Sequence, residues 1–176
     1  MSRRRQTPGA RRAFTRCTQG GAAVEFALIA TPFIGLLLAI VQTGLVFFAG
    51  QVLQASTAQA ARQIMTGQAQ AQGTTASQFQ QAVCTNAGGL FNCGALSVNV
   101  QTFTSFSSIS RLNPAQGGAI NPALLSFQPG IAGNIELVQV YYPWPVGPNI
   151  FGVNLANLGG NSSLLIATSV FRNEPY

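Results

Sequence analysis

Residues 26–49, FALIATPFIGLLLAIVQTGLVFFA, carry no ionisable side chain. As a helix this run reaches roughly 36 Å, against about 30 Å for the hydrocarbon core of a bilayer. It is long enough to cross a membrane with some tilt. Glu25 stands just ahead of it, the pair Gly20 and Gly21 ahead of that, and an arginine-rich stretch first of all.

The net charge of +6 suggests nucleic-acid binding until the charges are placed. Arg3, Arg4, Arg5, Arg11, Arg12 and Arg16 all precede Gly20 with no acid among them. The remaining Arg62, Arg111 and Arg172 are matched in number by Glu25, Glu136 and Glu174. Basicity is thus local to the first 20 residues. Arginines beside an apolar span give the positive-inside signal, which predicts a cytoplasmic N-terminus and a translocated C-terminal part. Nucleic acid is not an expected partner, because Phe14 is the only aromatic among those arginines.

The chain has no His, Lys or Asp. The usual general bases, the common catalytic triads and most zinc or iron ligand sets are therefore missing, and no enzymatic activity, cofactor or small-molecule substrate is expected. Cys17 precedes the span, while Cys84 and Cys93 follow it closely spaced. In an oxidising compartment a Cys84–Cys93 disulfide is the favoured arrangement. The alternative, a metal held by these two thiolates, leaves half of a coordination shell empty. No metal is expected.

Three segments follow: residues 1–20 as a basic, unstructured cytoplasmic leader, 21–49 as a transmembrane helix, and 50–176 as an extracytoplasmic domain. A lipoprotein signal does not fit, since Cys17 lies before the apolar run rather than after it. A twin-arginine signal at residues 10–15 fits poorly, because the apolar run exceeds a cleavable one. Pro32 removes one helical N–H, so a kink or loosening between Leu28 and Pro32 is expected.

Polarity rises after Ala49, yet Leu53, Thr57, Ala60 or Ala61, Ile64 and Met65 keep helical spacing. The span should continue as an amphipathic helix that stops at Gly67 or Gly73. From Gly21 to Thr66 it would measure about 69 Å. Ser77 can cap a short helix, with Gln80 placed for a capping box. Leu96, Val98 and Val100 alternate with polar residues as a half-buried strand, and residues 135–142 and 164–171 form two more. Residues 107–133 predict a long loop with one helical turn near Pro122. The 143–153 segment is too rich in Pro and Gly for regular structure, but Trp144, Val146, Ile150, Phe151 and Val153 make it core packing or a cover for the sheet. The expected class is α+β, with a small antiparallel sheet laid on one long helix.

GGAAVEFALIATPF at residues 20–33 resembles the TadE-like family of tight-adherence pilus assembly, relatives of type IV pilins. The likeness extends through AQAARQIMTG at 58–67, the VQVYYP strand end at 138–143 and the terminal RNEPY. Where the family commonly carries an acid shortly before the glycine that is Gly44 here, Gln42 stands nearby. The resemblance implies a pilin-like fold and cleavage between Gly20 and Gly21 by a prepilin peptidase. Glu25 becomes fifth in the mature chain, and Glu25 and Phe26 serve assembly. It further implies a minor pilin-like subunit or assembly factor, single-pass in the bacterial inner membrane with a periplasmic domain, or incorporated in a pilus. Its partners would be other pilin-like subunits and the assembly platform. The alternative is a membrane-anchored periplasmic binding or scaffold protein outside any filament.

Overall fold

The computed structural model describes residues 20–149, 152 and 154–176. Residues 1–19 of the leader, Cys17 among them, and Ile150, Phe151 and Val153 lie outside the described residues.

Helix α1 spans Gly21–Met65, about 68 Å at the standard rise. Its two halves have opposite surroundings. From Val24 to Phe48 nearly every large apolar side chain is exposed, whereas Ala49, Leu53, Ser56, Thr57, Ala60, Ala61 and Ile64 are buried. That buried spacing repeats every three or four residues, so one stripe of the helix meets the domain. Thr66 ends α1, and Gly67 turns the chain with φ of 77°, a left-handed conformation that glycine adopts without a Cβ penalty.

A single turn, α2 (Gln68–Ala71), precedes α3 (Ala76–Asn86). The cap of α3 is Thr75 rather than Ser77. The Thr75 hydroxyl accepts from Gln78 N, and the Gln78 side chain accepts from Thr75 N at 2.8 Å, a complete capping box two residues earlier than the sequence suggests. Gln80 is consequently free to reach the Cys93 carbonyl. Cys84 on α3 is bridged to Cys93, with Cα atoms 5.5 Å apart. Closing a loop of about ten residues stabilises the fold by roughly 2.7 kcal/mol in the loop-entropy account. Inside that loop Phe91 packs on Tyr142 and Trp144, with ring centroids 4.8 and 6.0 Å away.

The main sheet comprises β1 (Ser97–Phe103), β4 (Ile135–Pro145) and β5 (Ser162–Arg172), antiparallel in the order β1-β4-β5. The two outer strands flank β4, whose residues 135–142 are all buried. Val138, Val140 and Tyr142 face the core made with α1 and α3. The opposite face, with Leu137, Gln139 and Tyr141, is closed by the chain between β1 and β4. A strand covered on both faces has no polar side to show, so IELVQVYY is nearly continuous in its apolar character. β1 is less regularly alternating than expected, because Asn99 is fully buried beneath that same covering chain.

The covering chain is more structured than the loop predicted for it. It contains a small hairpin, β2 (Ala115–Gln116) and β3 (Ala119–Ile120), and a 3-10 turn at Pro122–Leu124. Val100 exchanges backbone hydrogen bonds with Ser126 and Gln128, which fastens this chain along β1. The 143–153 segment begins inside β4, which continues to Pro145, and Val146 beyond it is buried. Helix α1 meets β5 through more than apolar contact. Gln54 receives Thr168 N at 3.0 Å and donates to Thr168 O at 2.9 Å, so one side-chain amide completes an exposed strand edge.

Candidate functional site

The first turns of α1 gather most of the residues singled out in the sequence. Gly20 is the N-cap, with φ −81° and ψ −19°, and among the described residues no side chain caps the helix. A Cβ at Gly20 or Gly21 would meet none of the described residues within 4 Å, so they do not dictate glycine there by crowding. Glu25 is exposed one turn later, and Phe26 beside it is 73% exposed. Glu25 lies past the first turn, where the helix dipole adds little for a carboxylate. The next charge along α1 is Arg62, about 55 Å away at the standard rise.

Beyond Glu25 the α-helix continues through Pro32 without a break. The hydroxyl of Thr31 donates to Ala27 O at 2.7 Å, occupying a neighbouring carbonyl in that turn. Fourteen large apolar side chains from Val24 to Phe48 are exposed. At about 1.5 kcal/mol or more each, moving them into an apolar medium is favoured by on the order of 20 kcal/mol. This half of α1 is long and apolar enough to cross a membrane. Gln42, the residue near Gly44, donates to Gly147 O at the long distance of 3.5 Å, so the segment after β4 reaches alongside the apolar half of α1.

The disulfide and the N-terminal cluster are separate features. Cys84 and Cys93 belong to the domain, packed behind Tyr142, and they contribute rigidity there rather than chemistry at α1. Among the described residues no group of three or more His, Cys, Asp or Glu is placed to hold a metal.

Glu136 has a role that sequence reading missed. Its side chain is fully buried at the end of β4. Oε1 accepts from Gly130 N at 2.9 Å and from Asn173 Nδ2 at 3.4 Å, and Thr102 Oγ1 lies 3.1 Å from Oε1 and 3.2 Å from Oε2. Thr102 also donates to Gln128 O at 2.9 Å. A hydroxyl has one hydrogen, so Thr102 shares it between the carboxylate and Gln128 O, or accepts from the carboxyl once that is protonated. Burial pushes the Glu136 carboxyl up to about 7, against the opposing hydrogen bonds from Thr102 and Gly130. The available signal was period two: Glu136 shares a strand face with Val138, Val140 and Tyr142, a place where a charge is costly.

This carboxyl anchors the terminal RNEPY. Asn173 bonds to Ile131, Asn134 and Gly133 as well as Glu136, and Glu174 N donates to Met65 O at the end of α1. The Tyr176 ring lies over Gly67, where a Cβ would come within 2.5 Å of it.

The family model described as TadE-like protein matches residues 20–62. That match covers α1 from its cap to three residues before its end, including Gly20, Gly21, Glu25, Phe26 and Pro32. No curated protein and no solved structure matches the chain.

Proposed function

We propose that this chain is a minor pilin-like subunit or assembly factor of the tight-adherence pilus, matured by a prepilin peptidase, a reading supported by the match of residues 20–62 to the TadE-like family model. The observation that carries the proposal is the division of α1. One end is woven into the domain core, and the other presents a long apolar surface with Glu25 as its single charge. Such a helix can lie in a bilayer or exchange lipid for the apolar helices of neighbouring subunits, because both surroundings satisfy the same surface.

In this scheme the six leader arginines hold the N-terminus in the cytoplasm. Cleavage after Gly20 removes them and frees the amine of Gly21. Gly21 and Glu25 are four residues apart, hence neighbours on one helix face. A carboxylate in an apolar layer costs about 2.5–3.5 kcal/mol on insertion scales, and the freed amine offsets that cost, in the same subunit or an adjacent one. Between subunits the pair favours one axial stagger. The domain then sits in the periplasm, where the Cys84–Cys93 bridge persists. No chemistry by this chain is required.

The test is N-terminal sequencing of protein recovered from membranes, alongside co-purification with other pilin-like subunits. The mature chain should begin at Gly21, and Gly20→Phe should remain uncut but inserted. Glu25→Ala should be inserted and cleaved normally while recovering at least about tenfold less partner, the equivalent of about 1.4 kcal/mol. Unchanged cleavage of the Gly20 variant, or full association of the Glu25 variant, would sink the proposal in favour of a simple anchored scaffold.

A further inference from the structure

The face of the sheet opposite α1 carries a groove of about 560 Å³. Its floor is β4 and β5, one wall is the segment leading into β2, and the other is the turn before β5. The side chains that define its chemistry are Arg111, Asn113, Gln139, Asn157 and Thr168, with Leu164 and Ile166 forming an apolar strip. Among the described residues no acid lines it.

Each amide in the groove has its orientation fixed by a donor elsewhere. Asn113 Oδ1 accepts from Ala115 N at 3.1 Å, and Asn157 Oδ1 accepts from Leu164 N at 2.6 Å. Backbone N–H groups can only donate, so both side chains are left with their NH2 groups to offer. Gln139 is fixed by a relay. Ser126 N donates to Asn99 Oδ1 at 3.0 Å, which obliges Asn99 to present Nδ2 to Gln139 Oε1 at 3.3 Å. Gln139, only 1% exposed as a residue, lines the groove, and its Nε2 donates to none of the described residues.

The wall carrying Arg111 is held in place from below. Tyr141, fully buried, donates its hydroxyl to Leu112 O at 3.0 Å. On the far side Gly159 N donates to Gly118 O at 2.8 Å, tying the turn before β5 to the β2–β3 hairpin. The groove is therefore walled by tied segments and lined by three amides whose oxygens are each engaged, a hydroxyl and a guanidinium.

We propose that this groove binds a carboxylate carried on an apolar body, such as the C-terminal end of a peptide, with Arg111 and the amides of Gln139, Asn113 and Asn157 around the carboxylate and Leu164 and Ile166 beneath the apolar part. Three amide NH2 groups and the Thr168 hydroxyl can all donate to an acceptor-rich group, and a guanidinium favours one that is anionic. The mixed polar and apolar lining separates this from a site for a bare inorganic anion.

The full chain in detergent micelles, labelled with nitrogen-15, tests this by titration with N-acetyl-leucine, N-acetyl-leucine amide and glucuronate. N-acetyl-leucine should give saturable shifts of the Gln139 and Asn157 side-chain amide signals. The amide analogue should bind at least about tenfold more weakly, and Arg111→Ala should weaken N-acetyl-leucine by about tenfold or more, as expected for a charge-assisted hydrogen bond. Arg111 is exposed, so its replacement leaves the fold intact, and unchanged backbone spectra verify this in the same samples. The inference is overturned by an absence of saturable shifts, by equal binding of the amide analogue, by unchanged affinity in the Arg111 variant, or by glucuronate binding as tightly as N-acetyl-leucine.

Discussion

Glu136 is the residue whose environment departs furthest from its ordinary chemistry. Its carboxyl, raised from 4.5 to about 7, holds its proton more tightly folded than unfolded. Its contribution to stability is full below about pH 4.5 and is lost as pH rises through about 7, a span worth at most on the order of 3 kcal/mol. Thermal unfolding of the domain should therefore occur at lower temperature at pH 8 than at pH 5. Glu136→Gln keeps an oxygen for Gly130 N and a donor for Thr102, so it should flatten that pH dependence while preserving the fold. A pH slope unchanged in the glutamine variant would assign the effect to another group. Arg172 is the first residue of the tail Glu136 anchors, but its Nε donates to Gly133 O at 2.9 Å.

At the level of elements, the junction of α1, α2 and the terminal tail depends on one backbone conformation. Gly67 and Gly73 both have positive φ, 77° and 62°, so alanine at either site pays a similar backbone penalty of about 1 kcal/mol. Only at Gly67 would the new Cβ strike the Tyr176 ring; at Gly73 it meets nothing within 4 Å. Chemical denaturation of the two alanine variants should show Gly67→Ala losing about 1–3 kcal/mol more than Gly73→Ala. Equal losses would mean that the tail does not hold α1 in solution. The same junction explains why the tail matters at all: Glu174 N closes the carbonyl of Met65, an orphan acceptor at the helix end.

Across the whole molecule, the division of α1 separates the residues that build the core from a long exposed apolar surface. The core is built from residues 49–65 of α1, α3 and the sheet, with nothing essential contributed by the exposed apolar residues before Phe48. Residues 49–176 expressed alone in an oxidising compartment should fold, form the Cys84–Cys93 bridge and remain dispersed without detergent. Circular dichroism and size-exclusion chromatography check this. Aggregation of the truncated chain with both thiols reduced would show that the apolar half of α1 is needed for the domain to form.

The sequence by itself determined whatever depends on local periodicity and on the placement of charge. The uncharged run of 26–49, the three-and-four spacing from Leu53 to Ile64 and the alternation around β4 name α1 and the sheet directly, because each pattern reports which side of one element is apolar. Gly20, Gly21, Glu25 and Phe26 lie together at the start of α1, while the processing and assembly roles expected of them came from the family resemblance rather than from any periodicity. The tertiary structure alone decided what distant segments do to each other. Thr75 displaced Ser77 as the cap of α3, and Asn99 in a strand that reads as half-exposed was buried by a chain some 27 residues further on. The pairing of Gln54 with the β5 edge and the enclosure of Glu136 likewise join residues 114 and 37 positions apart. No periodicity encodes such contacts, because a polar side chain looks alike in sequence whether water or another backbone satisfies it.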